Sequence, residues 1–212
     1  DGKVLQNLPG GLPNNVDLRP RFTVEGREQV LVAASDRSKE RFGMTLFLLD
    51  PATLQTRYWG LVPVDLEEPY GLCLGRRGDA FVAVINGTDG KVRQFRIAAA
   101  ANGQPAAQLE KQYEVGSQTE GCVIDDATGA VYVGEEAKGI WRYSIGPANT
   151  QRVQIAAAPG AELQPDVEGL TLLKAGGKSW LLASSQGDSA FAVWSVEGQP
   201  QYRGRFSIVA AN

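Results

Sequence analysis

Three short strings, Tyr70-Gly-Leu, Glu120-Gly-Cys and Glu168-Gly-Leu, recur along the chain with Gly71, Gly121 and Gly169 spaced 50 and 48 residues apart. A weaker counterpart, Asn15-Val-Asp17, lies about one period earlier. After each string the same order returns: an opening strand at the glycine, an apolar second strand, a third ending in an aromatic residue, and a more polar fourth. Periods of about 40 to 50 residues holding four short strands are the sequence signature of a β-propeller blade. The repeat therefore predicts an all-β chain, a β-propeller with four blade repeats of about 50 residues in one domain spanning residues 1–212.

The strands can be read one by one. Val30–Ala34, Ala80–Val84, Val131–Val133 and Trp180–Ala183 supply the second strands; Thr45–Leu49, Val92–Phe95, Ile140–Tyr143 and Phe191–Trp194 supply the third. Outer strands at Gln108–Tyr113 and Tyr202–Phe206 alternate polar with apolar residues, as a rim with one wet face should. Val4–Asn7 reads as a lone outer strand left by a preceding blade. Such a chain is either a small four-bladed ring or an arc of a larger one, and the arc is the expectation.

Histidine is absent, which removes Ser-His-Asp, Cys-His and two-histidine zinc chemistries at one stroke. Chemistry here must run on carboxylates, lysine, arginine, tyrosine or a metal, and an oxygen-loving cation such as Ca²⁺ or Mg²⁺ suits that inventory. A formal charge of -3 and a pI near 5.1, with no clustered basic face, argue against a nucleic-acid partner. No apolar run reaches the roughly 18 residues of a membrane span. Cys73 and Cys122, in matching YGLC and TEGC strings, read as two buried small hydrophobes, with a disulfide as the alternative. A chain opening at Asp1 suggests a processed product.

The densest run of acids lies between Gln118 and Tyr143, where Glu120, Asp125, Asp126, Glu135 and Glu136 fall within 17 residues. Asp125 and Asp126 precede a Thr-Gly turn and read as turn formers. Trp141, Trp180 and Trp194, on second and third strands, read as core packing. Taken alone, Arg37 would be a solvated surface arginine. Glu120 and Glu168 are acids before glycine at the same point of two repeats, and that recurrence singles them out.

Seven strings, in order, resemble one family closely: Asn14-Asn-Val-Asp-Leu-Arg19, Ala33-Ala-Ser-Asp-Arg-Ser38, Pro69-Tyr-Gly71, Ser117-Gln-Thr-Glu-Gly121, Val133-Gly-Glu-Glu136 with Ile140-Trp141, Asp166-Val-Glu-Gly-Leu-Thr171 and Ala183-Ser-Ser-Gln-Gly187. That family is the β-propeller phytases, calcium-dependent phosphatases acting on inositol hexakisphosphate. The resemblance implies a six-bladed ring, of which this chain lacks most of the first blade and the last, so that a companion chain or missing segment would complete it. It implies that several Ca²⁺ ions are held by Glu120, Glu136, Asp166 and Glu168, with Tyr70 and Gln186 on the wall of the site and Asn15 and Asp17 as further candidates for the acidic rim. Glu120, Glu168 and Tyr70 are the expected catalytic residues, and Arg37 the phosphate contact. Where the family carries a lysine in a Thr-Gly-Lys-Glu-Gly loop, this chain has Asn86-Gly-Thr-Asp-Gly90, so Thr88 cannot supply the charge and Lys91 is the candidate substitute.

The expected reaction is hydrolysis of phosphate monoesters from phytate by metal-activated water. A non-catalytic propeller module that binds calcium or a partner is the alternative, and a metal-dependent sugar-lactone hydrolase is a second. The need for abundant Ca²⁺ and an extracellular substrate points to a secreted or periplasmic bacterial protein.

Overall fold

The computed structural model describes residues 2–146 and 151–209, which form four sheets of four antiparallel strands. Blade 1 comprises β1 (Pro13–Val24), β2 (Arg27–Asp36), β3 (Gly43–Leu49) and β4 (Thr56–Pro63). Blade 2 comprises β5 (Pro69–Arg77), β6 (Ala80–Gly87), β7 (Lys91–Ala99) and β8 (Pro105–Glu114). Blade 3 follows with β9 (Thr119–Asp125), β10 (Ala130–Glu135), β11 (Gly139–Ser144) and β12 (Val153–Ala157), and blade 4 with β13 (Val167–Ala175), β14 (Lys178–Ser185), β15 (Ala190–Ser195) and β16 (Gln201–Phe206). Within each blade the strands pair in chain order, the expected meander.

Alternation along the strands sends one set of side chains to each face of a blade, and neighbouring blades share the apolar sets. One core joins blades 1 and 2 around Phe22, Leu31, Trp59, Leu74 and Phe81. A second joins blades 2 and 3 through Val82, Val84, Val131 and Val133. A third joins blades 3 and 4 around Tyr132, Ile140, Leu181 and Trp194. Among the described residues no fourth core joins blade 4 back to blade 1, so the blades form an open arc.

The free end faces show it. Val16 and Leu18 of β1 are 66% and 50% exposed, and Leu173 of β13 and Phe206 of β16 are 51% and 45% exposed. Trp180 falls on that uncovered side of blade 4: its neighbour Leu181 points into the third core while Trp180 stays half-buried outside it. The expectation that it packs in the core is thus corrected, whereas Trp194 is 1% exposed and does so.

Residues 2–12 form no strand, correcting the reading of Val4–Asn7. Gln6 clasps the segment to the outer edge of blade 1, its Nε2 donating to the Thr56 carbonyl at 2.7 Å and its Oε1 accepting from Thr56 N–H at 2.8 Å, while farther along Leu12 N–H donates to Asp36 Oδ1 at 2.9 Å. With Val4 and Leu5 78% and 63% exposed, the segment has no apolar burial that would favour a ladder over this clasp.

The two cysteines are joined. Cys73 on β5 and Cys122 on β9 form a disulfide with Cα atoms 5.6 Å apart, so the reading as two free buried thiols is overturned. Both are buried, but on facing inner strands of adjacent blades, a proximity that only the packing of those blades creates.

Candidate active site

The innermost strands β1, β5, β9 and β13 line a central cavity of about 360 Å³ bordered by Asn14, Asp17, Leu72, Gly121, Cys122 and Gly169. Their starting ends carry the site. Tyr70 opens β5, Glu120 opens β9 and Glu168 opens β13, each beside its repeat glycine. Glycine is needed because the blades nearly touch: a Cβ on Gly71 would overlap the Glu120 carbonyl oxygen, and one on Gly121 would overlap that of Glu168. Gly169, with no following blade, faces nothing within 4 Å. The recurring acid-glycine pair is one arrangement: the glycine admits the next blade, and the acid's backbone is what that blade presents.

Glu136 and Asp166 join from loops. Glu136 N–H donates to the Gln118 carbonyl and Val167 N–H to the Glu136 carbonyl, both at 3.0 Å, while Gln186 N–H donates to the Asp166 carbonyl at 3.0 Å. These bonds stitch the β9, β10, β13 and β14 ends into one rim.

Three of the four acids rest on neutral carboxamides rather than on cations. Asn14 Nδ2 donates to Glu120 Oε1 at 3.1 Å, Gln118 Nε2 to Glu136 Oε1 at 2.7 Å, and Gln186 Nε2 to Glu168 Oε1 at 2.9 Å. A carboxamide orients a carboxylate without cancelling its charge, so the acids feel one another. Burial first, then Asp166, Glu120 and Glu168, push the Glu136 carboxyl above the usual carboxylate range. Burial, Glu120 and Asp166 do the same to Glu168. Tyr70 is pushed up by burial and by Glu120 and Glu136, against a smaller opposing pull from Arg37. Asn14 and Gln118 were not singled out in the sequence, although both stand inside the quoted strings next to residues that were.

The remaining candidates divide. Arg37 lies at the mouth, its guanidinium carbon 5.6 Å from the Tyr70 ring centroid and its Nη1 2.9 Å from Glu68 Oε1. Lys91 is paired with Asp89 at 2.9 Å. Asn15 is tied down through its backbone N–H to Ser35 Oγ at 3.0 Å, with its side-chain oxygen accepting from Asn14. Asp17 turns away from the acidic rim: its carboxylate accepts from Arg19 at 3.1 Å and from Leu74 N–H at 2.8 Å. It is a strut between blades 1 and 2.

Three further acids take structural posts. Asp125 caps its turn, accepting from Ala127 N–H and Thr128 Oγ1. Asp126 reaches beyond the turn to Arg19 at 3.1 Å and Arg76 N–H at 2.9 Å, linking three blades. Glu135 is buried and accepts from Ser117 Oγ and Trp141 Nε1. Among the described residues no three acidic side chains already stand as one metal-ligating group.

A model of the phytase family matches residues 1–212, the full length of the chain. The chain belongs to the phytase family. A 3-phytase of Bacillus subtilis (strain 168) is 33% identical over 216 residues, covering 98% of this chain and 56% of that protein. This phytase-family chain thus spans about half the length of the curated relative it matches. Among solved structures, a chain in Chaetomium thermophilum Polycomb Repressive Complex 2 bound to GSK126 superposes with a TM-score of 0.63 at 14% identity, over 95% of this chain and 42% of that one. A chain in a humanized mutant of the same complex superposes with the same score at 15% identity, over 89% and 39%. At such identities the likeness concerns the propeller fold alone.

Proposed function

We propose that this phytase-family chain removes phosphate from phytate with Ca²⁺ held at the rim of Glu120, Glu136, Asp166 and Glu168. One observation carries the reading: Glu120, Glu136 and Glu168 rest on carboxamides, and burial, reinforced by the neighbouring acids, holds the Glu136 and Glu168 carboxyls above their ordinary range. Carboxylates oriented in this way keep their charge for a cation.

The donor set fits a hard, flexible cation. Every candidate ligand offers oxygen, the form Ca²⁺ takes in groups of 6 to 8, and Gln186 and Asn14 could turn their carbonyl oxygens inward as the acids leave their amide hydrogens. Bound Ca²⁺ would reverse the sign of the rim toward phosphate and acidify a nearby water. The chain's own residues do the rest. Glu120 and Glu168 would hold the metal from adjoining inner strands. Tyr70, a phenol that burial and then its acidic neighbours push above its ordinary range, can donate to a phosphate oxygen. Arg37, 40% exposed in its side chain, exchanges Glu68 for a phosphate fork. Lys91 would have to leave Asp89 to contribute.

A secreted or periplasmic setting is part of the proposal. The Cys73–Cys122 disulfide supports it, since such bonds persist in oxidising compartments. A partner or further segment covering the open faces of blades 1 and 4 is also proposed, supported by their exposed apolar residues.

The test is phosphate release from calcium phytate at neutral pH, with and without a chelator, on protein of confirmed mass. Release that the chelator stops supports the proposal. Absence of release in both conditions overturns it for this chain alone and favours a binding module, and lactone hydrolysis without phosphate release would move the reading to the sugar-lactone class.

A further inference from the structure

The opposite end of the inner strands carries a second charged feature, of the other sign. A cavity of about 700 Å³ lies between blades 1 and 2, lined by Arg21, Arg76 and Arg96 over a floor that includes Phe22 and Phe81. Asp79 is the one acid on its lining, 111% exposed in its side chain and 4.0 Å from Arg76. Arg76 follows Tyr70 by six residues along β5, which at about 3.3 Å per residue sets this cavity roughly 20 Å from the acidic rim.

We propose that this cavity binds a phosphate-bearing anion. Three features of the geometry argue for it. Arg76 Nε has no hydrogen-bond partner among the described residues and Nη2 stands 4.0 Å from Asp79, so bonds within the chain leave this guanidinium's charge uncancelled. The Arg76 guanidinium lies 5.1 Å from the Phe81 ring centroid, a stacked position that holds its fork in place. Arg21 has a left-handed backbone, φ 64°, at the bulge of β1 between Arg19 and Phe22. A non-glycine residue there is uncommon and unfavourable. The bulge sends Phe22 into the core, where it meets Trp59 and Phe81 edge-on, and leaves Arg21 on the cavity lining. Arg96 enters from β7, braced by a hydrogen bond from Nη2 to Gln108 Oε1 at 2.5 Å.

Three guanidinium groups against one loosely placed carboxylate leave a positive excess over an apolar floor. Planar forks match phosphate oxygens bidentately, and the low dielectric beneath strengthens the attraction. The ligand chemistry is a phosphate dianion, either free inorganic phosphate or the phosphate of a small monoester. Neither reading of the acidic rim is needed for this site.

Calorimetric titration with inorganic phosphate and with glycerol 2-phosphate, in chelator to silence the rim, tests it. Saturable binding is expected, unchanged in Glu168→Gln and weakened about tenfold in Arg76→Gln and Arg96→Gln. Arg21→Gly separates binding from folding: it relieves the left-handed strain, so its melting temperature should hold or rise while affinity falls. Preference for inorganic phosphate identifies the free ion as ligand, and preference for the ester identifies the monoester. Binding that survives all three arginine substitutions, that is lost in Glu168→Gln, or that equal chloride displaces would overturn the proposal, as would no binding at all.

Discussion

Cys73 and Cys122 tie the inner strands of blades 2 and 3 together at the point where those strands deliver Tyr70, three residues before the first cysteine, and Glu120, two before the second. The cross-link closes a sequence separation of 49 residues. In the chain-entropy picture, a loop of that size is worth about 4 kcal/mol to the folded state. Cys73→Ala with Cys122→Ala should therefore lower denaturant stability by an amount of that order. A midpoint unchanged from the parent would show that blade packing alone fixes these strands.

Gly121 and Gly169 occupy the same point of successive repeats but have opposite surroundings. Gly121→Ala must push the Glu168 backbone aside and should destabilise by about 2 to 3 kcal/mol, the scale of overpacking a dense core. Gly169→Ala in this chain meets nothing within 4 Å and should be close to neutral. Equal melting temperatures for the two variants would contradict the interblade contact.

Glu168→Ala should abolish chelator-sensitive phosphate release with little change in the far-ultraviolet spectrum or in the melting curve recorded in chelator. Gln118→Ala, which removes only the amide holding Glu136, should weaken Ca²⁺ binding without abolishing it. Full activity in Glu168→Ala would remove that acid from the site.

Adding Ca²⁺ should raise the melting temperature and a chelator should lower it, because a ligand that binds only the folded rim stabilises it by mass action and relieves the mutual repulsion of its acids. Identical melting curves in the two conditions would argue that the rim takes up no calcium.

Acid should weaken the fold at Asp36 and Glu110. Burial alone would raise Asp36, but hydrogen bonds from Leu12 N–H and Ser38 N–H outweigh it and hold the carboxyl below its ordinary value. Glu110 is held low chiefly by its bidentate bond to Arg77, with Gln94 assisting against burial. For an acid lowered by folding, the unfolded chain binds more protons in the window between the two pKa values, so the stability is present above the ordinary carboxylate value and lost as pH falls from there through the lowered folded value. Asp36→Asn should be less stable than the parent at neutral pH, with a flatter fall in acid; parallel pH profiles would sink the assignment.

The repeat made the blades legible. Apolar alternation and the spacing of Gly71, Gly121 and Gly169 located second and third strands to within a few residues, because a strand buried on both faces must be apolar whatever packs on it. Val4–Asn7 forms no strand for the converse reason: its apolar residues fit one locally, yet Val4 and Leu5 stay exposed, and side-chain bonds such as those between Gln6 and Thr56 hold the segment instead. Trp180 was misplaced because a second-strand aromatic is core only when a further blade covers it.

By itself the sequence determined the four-blade meander, the absence of histidine chemistry and the identity of the acids at the repeat glycines, since periodicity and residue type are local properties. Tertiary structure alone decided which acids share a field. Asp17 and Asp126 are as acidic as Glu120 in the sequence, but blade packing hands both to Arg19. The same packing leaves Glu120, Glu136 and Glu168 on carboxamides. It also brought Cys73 against Cys122 and set Arg76 over Phe81, because contacts between distant segments depend on how sheets stack about the central cavity, which no local pattern encodes.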